Sequence, residues 1–293
     1  MNDERVSGKE LEAIRHRLSE RDLAVLHAVG EHQFMTTRQI TRLYFHAHQS
    51  EASGVRAAIR VVSRLLDLRV LTRLERAVGG VRAGSSAYVW CLDSLGDRLI
   101  RESSGRSRRR FFQPSLTFLG HKLAVAETRV VIEETARRDR LEVIALDIEM
   151  RTWRPYLGRG GETIHLKPDI GLITATSEHE DHWFIEVDRG SESFRTLLDK
   201  CAIYETYRRT GREQATRGIF PRVLWIMPTK LRAELLRDHI ASTKSLETRL
   251  FIVIEPDQLA ATITELGPEA DHPRRVRQTG VPDNQLIPKG GKP

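Results

Sequence analysis

Cysteine and aromatic side chains are scarce in this 293-residue chain: there are two Cys, and Phe, Trp and Tyr together make up 6%. Cys91 and Cys201 stand far apart without C-x-x-C spacing, which excludes a disulfide framework and a zinc finger and leaves both as small buried hydrophobes. No apolar run approaches the roughly 18 residues that a membrane-spanning helix needs, and the mixed-charge start, residues 1–15, lacks the apolar core of a signal peptide. A cytoplasmic protein without membrane contact is expected. Also missing are G-x-x-x-x-G-K-[ST], G-x-G-x-x-G and G-x-S-x-G, so ATP-driven work, dinucleotide chemistry and serine-hydrolase catalysis have no support.

What is present is the composition of a folded protein with length for about two domains, 40% hydrophobic and 30% charged. The net charge is +7, and its distribution is uneven. Residues 1–114 carry 20 Lys/Arg against 13 Asp/Glu, residues 115–267 carry 22 against 24, and residues 268–293 carry 5 against 3. A basic N-terminal third suits a polyanionic partner, because clustered Lys and Arg replace the counterions condensed on nucleic acid. A solvated basic surface is the plainer reading, and charge alone does not separate the two.

Ser19 with Asp22 three positions later marks a helix start, and Leu23, Leu26 and Val29 recur at helical spacing up to Gly30. Thr36 or Thr37 starts a short second helix with Ile40, Leu43 and Tyr44 inward. Ser53 is placed to cap a third, running to about Asp67, with Val55, Ile59, Val62 and Leu66 as its packing stripe. Arg56, Arg60 and Arg64 form a second, cationic stripe. The period then changes: Val70–Leu74 and Ala87–Leu92 read as strands joined by a glycine-containing turn with Arg82 near its tip. Three helices and a hairpin predict a winged helix-turn-helix, an α+β module in which the third helix enters the DNA major groove and the wing touches the backbone. The same module can dock proteins; the arginines on the third helix and at the turn favour double-stranded DNA, with Arg56, Arg60, Arg64 and Arg82 as contacts.

The predicted division is a winged helix-turn-helix at 1–103, a basic linker at 104–114 containing Arg108 to Arg110, an α/β domain at 115–267, and a disordered tail at 268–293. The α/β domain begins with a long helix, Leu116–Arg138, followed by strands at Leu141–Met150, Thr163–Thr176 and His182–Asp188. A helix from about Glu192 to Arg209, a strand at Arg222–Met227, a helix at Lys230–Ile240, a strand at Leu250–Ile254 and a short helix from Pro256 complete it. A mixed central sheet is expected. His46 and His48, and His179 and His182 with Asp181 between them, lack established zinc spacing, and the histidines read as exposed side chains.

The segment with chemistry is Lys167-Pro168-Asp169, then Glu186-Val187-Asp188. Strand residues two apart share a face, so Glu186 and Asp188 project together, and Asp169 joins them if the two strands pair. Converging carboxylates repel, and a hard cation, Mg²⁺ or Mn²⁺, relieves that repulsion. Asp169, Glu186 and Asp188 are therefore the expected metal ligands, with Glu127 on the long helix as a fourth acid.

A helix carrying a Glu, then P-D, then an E-x-(K) strand end is similar to the PD-(D/E)xK nuclease superfamily. The run Phe184-Ile185-Glu186-Val187-Asp188-Arg189-Gly190 followed by Lys200 and Tyr204, behind a winged helix, more particularly resembles the replication-relaxation family of plasmid and mobile-element proteins over most of residues 19–265. The resemblance implies a nuclease-like α/β domain and a role in plasmid replication and DNA relaxation. It implies metal-dependent phosphodiester hydrolysis if the domain is active, with Asp169, Glu186, Asp188, Lys200 and Glu127 as its residues. Superfamily nucleases usually carry a lysine where this chain has Asp188; Lys200 is the expected substitute. The alternative is a catalytically inactive DNA-binding regulator or accessory that uses the domain to form a homodimer or to contact replication or relaxation proteins.

Overall fold

In the computed structural model, residues 7–74, 88–104, 113–139, 141–158, 160–176, 179–265 and 275–276 are described. The expected hairpin tip with Arg82, and most of the linker and of the tail, lie outside them.

The N-terminal part runs α1 (Gly8–Arg15), α2 (Glu20–His32), β1 (Met35–Thr36), α3 (Thr37–Tyr44), α4 (Glu51–Asp67), β2 (Leu71–Arg73), β3 (Val89–Leu92) and α5 (Ser94–Ser104). Polar caps set the helix starts: Ser19 and Asp22 satisfy each other's backbone N–H at α2, and Thr36 and Gln39 do so at α3. At α4 the cap is Ser50, three residues before the expected Ser53, which instead closes the capping box. The packing stripe shifts with it: Gly54, Ala57, Ala58, Val62 and Leu65 are buried, whereas Ile59 and Leu66 are exposed. Small residues let α4 approach α3 closely; a Cβ on Gly54 would lie 2.7 Å from the Phe45 carbonyl oxygen. The three strands form an antiparallel sheet in the order β1-β3-β2.

The second part opens with α6 (Leu116–Asp139) and continues as β4 (Glu142–Ile148), β5 (Arg154–Leu157), β6 (Thr163–Leu166), β7 (Ile170–Ala175), β8 (His179–Val187), α7 (Phe194–Arg209), α8 (Arg212–Arg217), β9 (Arg222–Ile226), α9 (Lys230–Ser242), β10 (Phe251–Ile254) and α10 (Leu259–Glu265). The expected strand over 163–176 is two strands in different sheets, because Lys167-Pro168-Asp169 interrupts it: β6 pairs with β5, and β7 enters the main sheet. That sheet has the order β10-β9-β8-β7-β4, parallel from β8 to β10 and antiparallel across β8-β7-β4. It is mixed, as expected. Leu197, Cys201 and Tyr204 of α7 and Ala233 and Leu236 of α9 cover one face, while Val125 and Ile132 of α6 and Leu259 and Ile263 of α10 cover the other. Within the tail, β11 (Arg275–Val276) pairs with β8 at His179 and Glu180, so this short piece of the segment expected to lack order is a strand.

Helix α6 belongs to two cores. Val125 and Ile132 face the large sheet, whereas Ala126 and Val130 pack with Val25, Leu26, Ile40 and Val62 of the N-terminal helices. Leu119 and Leu123 meet Phe34, Val89 and Cys91. The expected boundary at 104–114 thus falls just before a helix that both parts use. Both cysteines are buried, and burial pushes each thiol up to about 12. His182 is buried rather than exposed, and so is Asp181, which is bonded to Arg222 at 3.1 Å.

Candidate active site

The break before β7 and the end of β8 create the site. Asp169 donates its backbone N–H to the Ile185 carbonyl at 3.1 Å, extending the β7-β8 pairing one step past β7. Its side chain is then anchored at both oxygens: Oδ2 accepts the Val187 N–H at 2.8 Å, and Oδ1 lies 3.0 Å from Nε2 of His121 on α6. That hydrogen bond raises the His121 pKa against the opposing effect of burial, so the imidazolium is favoured.

Glu186 lies on β8 and points to the opposite face from Ile185 and Val187, which join the core under α6. It is buried, 4% exposed, in the shelter of α7. The Tyr204 hydroxyl donates to its Oε1 at 2.6 Å, and Lys200 Nζ stands 3.8 Å from its Oε2. Tyr204 follows Lys200 by one helical turn, which puts both on one face of α7. Burial first, and the charge of Asp169 second, push the Glu186 carboxyl up to about 8, leaving it mostly protonated at neutral pH. Lys200 is shared with Glu192 at 3.0 Å; burial disfavours its charge, but Glu186 and Glu192 outweigh that and raise its pKa. The Tyr204 phenol is raised well above its usual range by burial and by Glu186, and stays a donor.

Two of the five expected residues are elsewhere. Asp188 has passed the end of β8 and is held by the Arg232 guanidinium of α9, with a further bond from the Gly190 N–H at 3.0 Å. Both of its oxygens are engaged, so it does not join Asp169 and Glu186. Glu127 turns to the N-terminal helices, pairing with Arg42 and accepting from Gln39 at 3.1 Å. Asp169, Glu186 and Lys200 do come together. His121 was missed by sequence reasoning: it lies six residues before Glu127 on the same helix, and only the fold brings it to Asp169. Tyr204 was seen as part of the pattern without a role; its spacing of four from Lys200 was the available signal.

Among the described residues, no three His, Cys, Asp or Glu side chains form a ready metal-binding group. The expected triad is reduced to two carboxylates. Such a pair still suits Mg²⁺ or Mn²⁺ where water and substrate phosphate oxygens complete the shell, since Mg²⁺ is ordinarily held by one or two carboxylates rather than by an all-protein cage.

On the N-terminal part, Arg56 and Arg60 project from α4 as exposed side chains. Arg64 is tied to Asp22 of α2 at 2.5 Å. No helix of the described residues is long and apolar enough to cross a membrane.

No curated protein and no solved structure matches the chain. A family model described as replication-relaxation matches residues 26–223, from α2 into β9, and so takes in α6, Asp169, Glu186 and Lys200. The chain belongs to the replication-relaxation family, and that membership suggests a role in the replication or relaxation of a plasmid or mobile element.

Proposed function

We propose that this is a DNA-binding protein in which a winged helix carries a nuclease-like α/β domain to its substrate. The N-terminal order helix, strand, two helices, two strands, with the first strand paired beside the last, supports the winged-helix reading. Residues Arg56 and Arg60 then face the duplex from α4. The observation that carries the catalytic reading is the meeting of Asp169, Glu186 and Lys200 where β7 enters and β8 leaves the sheet. In this arrangement Asp169 and Glu186 would hold the metal. His121 and the Val187 N–H fix the orientation of Asp169, and the Tyr204 hydroxyl fixes Glu186. Lys200 keeps a positive charge beside Glu186 and is placed to stabilise charge on a phosphate. A bound Mg²⁺ or Mn²⁺ would supply an activated water and neutralise phosphate charge. Glu186 must give up its proton before it can ligate, so cleavage should rise with pH toward about 8.

The test is incubation of the full chain with supercoiled, linear and single-stranded DNA, with and without Mn²⁺. Metal-dependent nicking or cutting, lost in Asp169→Asn and reduced in Lys200→Ala, is expected. DNA binding that persists with no cleavage of any substrate would replace this reading by that of a regulator. Replacing Arg56 and Arg60 by Ala should weaken duplex binding and reduce its salt dependence by about two phosphate contacts; unchanged binding would remove α4 from the interface.

A further inference from the structure

The sequence places Arg189 directly after Asp188 at the end of β8, and the fold lays its guanidinium across α6. A Cβ built on Gly120 would lie 2.4 Å from Arg189 Nη1, 3.0 Å from Cζ and 3.4 Å from Nη2. These atoms are the far end of a flexible, exposed side chain, so a Cβ there would shift the guanidinium rather than exclude it. Gly120 immediately precedes His121, whose imidazole holds Asp169, so this seat adjoins the candidate site. Arg189 also lines a largely apolar cleft of about 310 Å³ between α6 and the ends of β8 and β9, bordered by Ala124, Val187, Ile226 and Leu259 and by two carboxylates, Glu127 and Asp188, that Arg42 and Arg232 pair.

The charges around the site differ in one respect. Lys200 faces Glu186 and Glu192, Arg232 faces Asp188, and Arg42 faces Glu127 and Glu134. Among the described residues, no carboxylate lies within ion-pairing distance of the exposed Arg189 guanidinium. A structural strap would be expected to end on a carboxylate or a carbonyl. Arg189 instead lies exposed against Gly120, and a guanidinium presents a planar fork of N–H donors that can bind a phosphate through two parallel hydrogen bonds.

We infer that Arg189, lying against Gly120, is a phosphate-binding residue that docks the nucleic-acid backbone on the α6 side of the sheet, where His121 holds Asp169. This rests on the DNA-binding reading above. The chemistry recognised is a phosphodiester oxygen, independent of base sequence, so Arg189 contributes affinity and placement of the strand and no sequence preference.

The experiment uses the full chain and a short fluorescent DNA duplex, with binding measured across a salt series and thermal midpoints recorded for each protein. Arg189→Ala should weaken binding about tenfold at low salt and lower the slope of log affinity against log salt by close to one unit, the share of a single phosphate contact. Gly120→Ala retains the arginine, whose flexible end can shift past the new Cβ, so it should bind within a few-fold of the wild type with a midpoint unchanged or higher. An Arg189→Ala protein with the wild-type salt slope overturns the inference. A lower midpoint with an unchanged slope in Arg189→Ala would make the residue a packing strap. If the wild type itself binds no DNA, the DNA-binding reading falls and carries this inference with it; binding by the wild type that Arg189→Ala leaves unchanged sinks the inference alone.

Discussion

Helix α6 presents acids and bases to two regions that treat them in opposite ways. Toward the N-terminal helices every major acid is matched. Arg42 reaches Glu127 and Glu134, Glu31 meets Arg129 at 3.0 Å and Arg151 at 2.9 Å, and Glu149 meets Lys122 and Gln33. The hydrogen bond from Arg42 lowers the Glu134 pKa despite partial burial. Toward the sheet end, Glu186 has a phenol and a lysine shared with another carboxylate, and its pKa is raised to about 8. Neutralised acids hold elements together; an acid short of positive charge is one that a cation can stabilise. The contrast separates structural carboxylates from site carboxylates more sharply than residue type does.

The largest expected effect tests the structural side. Asp188 is buried and Arg232 is its cation, so Arg232→Ala strands a buried charge and should destabilise the fold by about 3 kcal/mol in urea denaturation. A loss below about 1 kcal/mol would show that Asp188 is free enough to serve the site after all. Arg42→Ala should cost less, about 1–2 kcal/mol, because its partners are partly exposed and screened by solvent. An effect of that size, together with faster proteolysis before α6, would establish these pairs as the fastening between the two parts.

A smaller effect is pH-dependent and sharpens the site side. Glu186 has a folded pKa of about 8 against an ordinary 4.5, so the folded state holds the extra proton; the associated stability is present below about 4.5 and is lost as pH rises through 8. His32 is buried and neutral, its pKa pushed down to about 3 chiefly by burial and also by Arg129 and Lys122, so its contribution is present above 6.5 and lost as pH falls toward 3. Between about 4.5 and 6.5 the two slopes oppose each other. From 6.5 to 8 Glu186 acts without that opposition and His121, whose pKa the Asp169 hydrogen bond raises, adds a loss of the same sign; the Glu186 share alone is up to about 1.4 kcal/mol per pH unit in the metal-free wild type. Glu186→Gln should flatten this decline. Parallel pH profiles for the two proteins across 6.5–8 would contradict the raised pKa.

Much of the architecture could be read from residue patterns because its causes are local. Ser19 with Asp22 and Thr36 with Gln39 cap helices through contacts three residues apart, and the apolar residues of β9 and of the second half of β8 declare those strands. The errors have physical reasons as well. At α4, alanines and a glycine pack closely where larger residues had been expected to, so the stripe moved by one position. Pro168 divides a run that alternation alone joins. At the site, Asp169, Glu186 and Lys200 were legible from spacing, since strand pairing and the following helix carry them to one place. The fates of Asp188 and Glu127 were not, because their partners Arg232 and Arg42 lie 44 and 85 positions away. His121 was hidden for the same reason.

The central claim is that Asp169 and Glu186 form a cation site completed by phosphate. Calorimetric titration with Mn²⁺ at pH 8, on the full chain with and without a DNA duplex, addresses it most directly. Weak binding that tightens when DNA is present, and that disappears in Asp169→Asn and Glu186→Gln, is the predicted result. Mn²⁺ binding that is identical in wild type and both variants, or none in the presence of DNA that the wild type demonstrably binds, would contradict it.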